Sequence, residues 1–423
     1  MERPLTRNIK RGVEPSLADY ERSGGYGALR KALKGSTPTA VTQVVKDSNL
    51  RGRGGAGFPT GTKWSFVPMG KDAPQPKYFV LNADEMEPGT FKDRLLLEGN
   101  PHLVLEGIIL ASYAIEASTA YVFIRGEYIL AAERMSRAVT EAEQRGYLGR
   151  DILGSGFHLE VHIHSSAGRY ICGEETALLT ALEGQRPIPR TKPPYPQTAG
   201  LWGRPAVVNN VETAACVPGI VEHGADWFKA LGRGEDSGTK IFGVSGKVNR
   251  PGAWELPMGT TIREILEEHA GGMREGVQFR ALLPGGASTG FLTEEHLDLA
   301  MDFRPVEAAG SRLGTGTMII LDDQTCPVGM LRNLEQFFAR ESCGWCTPCR
   351  DGLPWTERIL QAIENGDGQA EDLAVLAMHV QELGPGKTFC AHAPGAMMPL
   401  ETGLKHFRAE FDRHLSERRC PWR

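Results

Sequence analysis

The sequence predicts an α/β protein in which a sheet flanked by helices leads into a small α+β unit and then into a helical C-terminal region. Three observations predict it. Apolar strand-like runs alternate with helical stretches between Lys77 and His164. Short strand-like segments crowd residues 240–323, and beyond Cys326 the pattern is helical, broken only by a cysteine motif and by LGPGKTFCAHAPGA.

Residues 1–50 read as a mostly helical lead-in, with Val41, Val44 and Val45 at helical spacing, ending before a glycine run. Residues 51–238 read as the sheet domain. KYFVLNADE is an apolar strand ending in polar groups; a long helix from about Leu95 to Ala117 and the strand AYVFIRGE complete a β-α-β unit. A helix from about Glu127 to Gln144 leads to FHLEVHIH, where Phe157, Leu159, Val161 and Ile163 alternate with polar residues as in a half-buried strand. Six prolines between Pro187 and Pro205 exclude a helix or central strand and predict a surface loop. Residues 239–325 hold the segments KIFGVSGKV, PGAWELP, FRALLPGG and TMIILDD around a helix near Ile262–His269, a pattern read as a β-grasp. Residues 326–423 form the helical region, and no internal repeat is visible.

Composition narrows the function. A chain of 423 residues buries several cores unaided; 41% hydrophobic and 23% charged residues exclude collagen-like, coiled-coil and disordered proteins. The formal charge of −5 argues against a nucleic-acid partner. The most apolar stretch, Leu103–Ile124, is interrupted by Glu106 and Glu116, so no membrane span is expected. The N-terminus is basic but lacks an apolar core, and Glu2 and Glu14 do not suit a transit peptide. Eight cysteines are too few for a disulfide scaffold, and their clustering matters more than their number.

Gly52, Gly54 and Gly57 of RGRGGAG satisfy G-x-G-x-x-G, but a helical, polar segment precedes them where a dinucleotide fingerprint needs a strand. What remains is a glycine floor, Gly52 to Gly57 with Arg53, Gly55 and Ala56, flanked by Arg51 and Lys63. There backbone amides can approach an anionic or planar ligand; the competing reading is a flexible turn. Phe58 and Phe66 beside Lys63 suit a stacked ring, or else fill a core. NADEMEP places Asn82, Asp84, Glu85 and Glu87 at the carboxyl end of a strand, where open α/β sheets bind ligands; capping acids in a solvated loop are the alternative. In GRYICGEETALL, Glu174 and Glu175 open an apolar helix at its positive end, and VVNNVET adds Asn209, Asn210 and Thr213 as neutral donors and acceptors.

The most specific motif is CGWCTPC. Cys343, Cys346 and Cys349 at C-x2-C-x2-C can wrap one face of a cubane, and Cys390 can complete the set for a [4Fe-4S] cluster. Zinc ranks second, because its structural sites more often use separated pairs, and unliganded cysteines rank third. His392 reads as a supporting or surface histidine.

Taken in order, RGRGGAGFPTGTKW, NADEMEPGTFKDR, YICGEETALL, VVNNVET, ESCGWCTPCR and FCAHAPGA make the chain resemble, from about Leu50 onward, the NADH-binding flavoprotein subunit of respiratory complex I. The resemblance implies FMN in a Rossmann-like domain, a ubiquitin-like β-grasp domain and a C-terminal helical bundle carrying the [4Fe-4S] cluster. It implies that Gly52–Gly57, Lys63, Asn82, Asp84, Gly173, Asn209, Asn210 and Thr213 line the FMN. Phe58, Phe66, Glu87, Tyr170 and Glu175 would receive NADH, Glu85 and Glu174 would belong to the same cofactor site, and Lys192 and Tyr195 would close over the nucleotide. Hydride transfer between stacked rings needs orientation and no side-chain acid or base, so no catalytic residue is expected. The implied partners are a [2Fe-2S] subunit of the E type and a large iron-sulfur subunit of the G type, on the cytoplasmic face of a bacterial membrane that the chain touches only through the complex. The alternative is a diaphorase subunit of an NAD-linked hydrogenase or formate dehydrogenase, many of which carry fused domains for which this sequence has no room. A zinc-stapled assembly module without redox activity would make the glycine, NADE and GEE segments coincidental.

Overall fold

The computed structural model describes residues 2–10, 12–13 and 15–423. They form two compact units, the first comprising Met1–Met86, Phe91–Ile241 and Glu255–Gly259, the second Glu87–Thr90, Phe242–Trp254 and Thr260–Arg423.

In the first unit the lead-in folds as α1 (Leu17–Arg22), α2 (Gly27–Gly35) and α3 (Pro38–Asp47). Ser16 and Thr37 cap α1 and α3, their hydroxyl oxygens accepting from the Asp19 and Ala40 amides. Val41 and Val45, one turn apart, are buried, and α4 (Thr60–Ser65) follows the glycine run.

The sheet is built from β1 (Tyr78–Ala83), then α5 (Asp93–Gly99) and α6 (Pro101–Ile115), β2 (Thr119–Ile124), α7 (Ile129–Arg145), β3 (Glu160–Ser165), α8 (Glu175–Leu182), α9 (Pro196–Ala199) and β4 (Ala206–Asn210). Helices α10 (Val211–His223) and α11 (Ala225–Ala230) follow. The single helix expected over Leu95–Ala117 is therefore two. Asn100 sits at φ −147° and ψ 53° because the ring of Pro101 disfavours helical backbone in the residue before it, and Pro101 restarts the helix. The proline-rich segment contains the short α9, which begins at Pro196, a position where the missing N–H costs nothing.

All four strands are parallel, in the order β3-β2-β1-β4. Val80, Phe123 and Val208 on one face meet Leu178 and Leu179 of α8. Phe79, Leu81, Val122 and Val207 on the other are wholly buried, with α6 and α10 packed against β1. Burial on both faces explains why these strands read as nearly continuous apolar runs. From β1 to β3 the sheet grows outward in one direction; β4 then returns to the opposite side of β1. The winding reverses between β1 and β4, so a crevice opens at their carboxyl ends, Asn82–Ala83 and Asn209–Asn210.

The second sheet uses β5 (Thr239–Ser245), β6 (Gly252–Pro257), β7 (Phe279–Leu283), β8 (Leu292–Thr293) and β9 (Thr317–Asp322) in the order β6-β5-β9-β7-β8. β5 and β9 are parallel, and β7 is antiparallel to both of its neighbours. The expected helix starts as α12 (Ile262–Glu264) under a Thr261–Glu264 capping box and continues as a π-turn over Ile265–His269. The two-residue β8 and the short α13 (Phe303–Ala308) carry too little periodicity to be read from sequence.

Helices α14 (Pro327–Glu341), α15 (Thr347–Asn365), α16 (Ala370–Glu382), α17 (His392–His406) and α18 (Arg408–Glu417) complete the chain. Leu331, Leu334 and Phe338 of α14 and Leu353, Leu360 and Ile363 of α15 are buried at helical spacing, and α14 packs on α15 and α17. Among the described residues no helix is long and apolar enough to cross a membrane.

Candidate functional site

The glycine run is laid on the β4–α10 junction. Gly52 N–H donates to the Phe58 carbonyl at 2.9 Å and Arg51 bridges to Pro59, closing a tight turn. Gly55 and Gly57 take φ +122° and +66°, a region that side chains rarely tolerate. Arg53 N–H donates to Thr213 Oγ1 at 2.8 Å, and a Cβ on Gly54 would stand 3.1 Å from Asn210 Cβ. The loop thus lies where the winding of the sheet reverses. The element before it is the helix α3, so the strand required by a dinucleotide fingerprint is absent, as the sequence predicted.

Beside the loop, Lys63 Nζ donates to the Val208 carbonyl at 2.9 Å and pairs with Glu175 at 2.5 Å. Lys192 Nζ reaches Glu174 and Glu175 at 3.1 and 3.0 Å. Burial would raise the Glu175 carboxyl, but the two lysines outweigh it and hold it below its usual range. Glu174 also caps α8, accepting from the Thr176 and Ala177 amides. Phe58 and Phe66 are 49% and 54% exposed with ring centroids 6.4 Å apart, which excludes a core-filling role. Tyr170 and Gly173 form the turn ahead of α8; Gly173 is exposed, and nothing lies within 4 Å of where its Cβ would be. Tyr195 is exposed on the proline-rich segment.

The NADE acids divide. Asn82 Oδ1 accepts from the Asp84 amide, and Asp84 accepts from Ser166 Oγ at 2.9 Å. Glu85 is buried and accepts from the Lys92 and Asp93 amides and from Tyr128 Oη. Burial and the neighbouring Asp93 charge push its carboxyl up to about 7. Glu87 belongs to the second unit, where it accepts from the Ser288 amide at 2.7 Å.

Several residues here escaped sequence reasoning. Trp64 Nε1 donates to Asn209 Oδ1 at 2.8 Å. Lys92 Nζ lies 2.6 Å from Asp93 and 2.9 Å from Glu212, and Glu212 also takes Lys240 Nζ at 3.0 Å and the Ile241 amide at 2.7 Å. Burial would raise the Glu212 carboxyl, but Lys240 and Lys92 hold it at about 2. Burial pushes Lys240 down to about 8 despite Glu212, and the nearby Lys92 and Arg53 add to the fall. Only Glu212, placed within the apolar run VETAACV, offered a sequence signal.

The second site lies where α14 gives way to α15. Cys343 is in the connection, Cys346 precedes α15, Cys349 sits in its first turn, and Cys390 stands two residues before α17. Burial, with Cys346, Cys390 and Cys343 adding to it, pushes the Cys349 thiol up to about 12. Thiolates accumulate at such a place only with a cation to neutralise them. His392 is buried and its Nε2–H donates to the Phe338 carbonyl at 2.8 Å, so it is not a surface histidine.

Both donor sets fit the groups they suggest. The glycine floor, the open space above Gly173, the half-exposed phenyl rings and the amide side chains suit a flavin. Behind the loop, buried Arg53 donates from Nη2 to the Ser237 and Thr239 carbonyls, and its Nε and Nη1 find no hydrogen-bond partner among the described residues. Four cysteines with a remote fourth suit a cubane cluster.

A parallel sheet with a glycine loop at its switch point, joined in one chain to a four-cysteine helical region, defines a flavin- and iron-sulfur-dependent oxidoreductase. Residues 45–219 match the Nuo51 FMN-binding domain, 241–292 the SLBB domain and 329–414 the NADH-ubiquinone oxidoreductase-F iron-sulfur binding region. The F-type subunit of NADH-quinone oxidoreductase from Salmonella typhimurium is 53% identical over 415 residues, 98% of this chain and 93% of that protein. The F-type subunit numbered 2 from Rhizobium meliloti is 54% identical over 418 residues, 99% of each. The chain belongs to the family of F-type subunits of NADH-quinone oxidoreductase. Among solved structures it is similar to a chain of an NAD+-reducing [NiFe]-hydrogenase in the H2-reduced state, with TM-score 0.81 and 35% identity over 94% of this chain. It spans 65% of the length of that hydrogenase chain, slightly under two thirds.

Proposed function

We propose that this chain is the NADH-oxidising subunit of a membrane-associated NADH-quinone oxidoreductase, its first unit taking FMN and NADH and its helical region a [4Fe-4S] cluster. When bound, FMN supplies a hydride acceptor that releases electrons singly, and the cluster supplies a one-electron carrier. The observation that carries this reading is the seating of the glycine loop on the β4–α10 junction, at the switch point of a parallel sheet.

The residues then have these roles. Gly52 to Gly57 bring backbone close to the flavin, with Lys63, Asn82, Asp84, Asn209, Asn210 and Thr213 around it and Gly173 leaving room above. Phe58, Phe66 and Tyr170 offer faces to the nicotinamide nucleotide, and Glu175 offers an acceptor to ribose hydroxyls while opposing a 2′-phosphate. Lys192, tied to Glu174 and Glu175, carries the proline-rich loop to the same place. Cys343, Cys346, Cys349 and Cys390 hold the cluster. Residues 1–50, 51–238, 239–325 and 326–423 serve as lead-in, Rossmann-like flavin domain, β-grasp domain and cluster bundle.

The partners that fit are a small [2Fe-2S] subunit and a larger iron-sulfur subunit at the cytoplasmic face of a bacterial membrane, since electrons entering here leave through another protein. The relation to the F-type subunits, stronger in both identity and shared length than that to the hydrogenase chain, favours this over a hydrogenase diaphorase. Absorbance of anaerobically prepared protein tests the reading: NADH should bleach flavin and cluster bands together. Isolated chain should reduce ferricyanide with NADH, while rapid reduction of a hydrophobic quinone by the chain alone would overturn the proposal.

A further inference from the structure

Cys326 and Cys420 stand outside the four-cysteine set and bracket the helical region, one immediately before α14 and the other beyond α18. With His414 of α18 they bring two sulfurs and an imidazole nitrogen within 4.8 Å of one another. His414 Nδ1 lies 2.7 Å from the Glu410 carbonyl oxygen, and a carbonyl can only accept. Nδ1 therefore carries the hydrogen and Nε2 keeps its lone pair, which faces Cys326 Sγ at 3.3 Å. An imidazole oriented by a backbone carbonyl through its far nitrogen is the arrangement found in metal-bound histidines.

His414 is fully buried and Cys420 nearly so, while Cys326 is partly exposed. Trp422 stacks on His414 at 5.9 Å and 16°, and Arg280 and Arg413 lie over the Trp422 ring. The Gly329 amide donates to Cys326 Sγ at 3.3 Å, which supports negative charge on that sulfur.

We propose that Cys326, His414 and Cys420 form a second metal site, for a soft divalent ion of the zinc type, that ties the end of the chain to the start of the helical region. Two thiolates and a neutral imidazole around a dication leave no net charge, which a mostly buried site tolerates. The partly exposed Cys326 edge leaves the fourth position to water. Binding exchanges two S–H bonds for two metal–sulfur bonds and releases two protons; the imidazole contributes its lone pair and releases none.

Zinc is titrated into anaerobically purified protein carrying its FMN and iron. About one zinc per chain should survive desalting, with about two protons released per zinc. Cobalt in its place should give a thiolate-to-cobalt charge-transfer band with iron content unchanged. Cys420→Ser and His414→Gln should each lower zinc retention at least tenfold while iron and FMN stay constant. Zinc retention in both variants equal to that of the unmodified protein would overturn the proposal. Should the variants fail to fold, the unmodified protein decides: absence of retained zinc or of the cobalt band refutes the site.

Discussion

Replacing Glu212 by Gln tests the buried charge cluster beside the β4–α10 junction. Glu212 is wholly buried two residues beyond Asn210 and pairs with Lys92 and Lys240. Its folded carboxyl lies at about 2 against an ordinary 4.5. At about 1.4 kcal/mol per pH unit this corresponds to ~3 kcal/mol of stability at neutral pH, within the range for breaking a buried pair. The sign follows from the depressed value: the contribution is complete above about pH 4.5 and fades as pH falls toward 2. Urea unfolding can be followed by tryptophan fluorescence, the buried Trp64 reporting on this unit. Wild type should exceed Glu212→Gln by ~3 kcal/mol near neutrality, and the gap should close progressively below about pH 4.5. A gap of the same size at about pH 7 and pH 3, or no gap, would refute the assignment of this carboxylate as the stabilising centre.

Three further outcomes are expected. Cys390→Ser should abolish the cluster's EPR signal and lower iron content while FMN is retained, whereas Cys420→Ser should leave both iron and signal intact; a reversed pattern would reassign the ligands. Gly54→Val should cut FMN content sharply, because its Cβ alone would meet Asn210 Cβ at 3.1 Å and its branch would push the loop off the β4–α10 junction; normal flavin content would place the flavin elsewhere. Glu175→Gln should raise NADPH oxidation relative to NADH by a few-fold, a modest effect because Lys63 and Lys192 already offset the charge, and an unchanged ratio would remove Glu175 from nucleotide selection.

The local chemistry was legible in the sequence because it depends on short spacings. C-x2-C-x2-C confines three thiols to seven residues whatever surrounds them, and the failed strand test at Gly52 was decidable from the helical residues before it. The strands of the first sheet were readable because burial on both faces writes an apolar run. The single helix drawn through Pro101 was wrong although its signal was present: the residue before a proline resists helical backbone, and the apolar run from Leu103 onward masked it.

What the tertiary structure alone decided is which distant groups meet. The order β3-β2-β1-β4 puts Asn82 beside Asn210, residues far apart in the chain, and so creates the crevice on which the glycine loop rests. Glu85 became a buried amide acceptor, Phe58 and Phe66 emerged half-exposed, and Cys326, His414 and Cys420 converged across the full length of the helical region. Periodicity records which face of an element is buried; it does not record which other element covers that face. Contacts made by chain crossover and helix packing therefore leave no trace in local sequence.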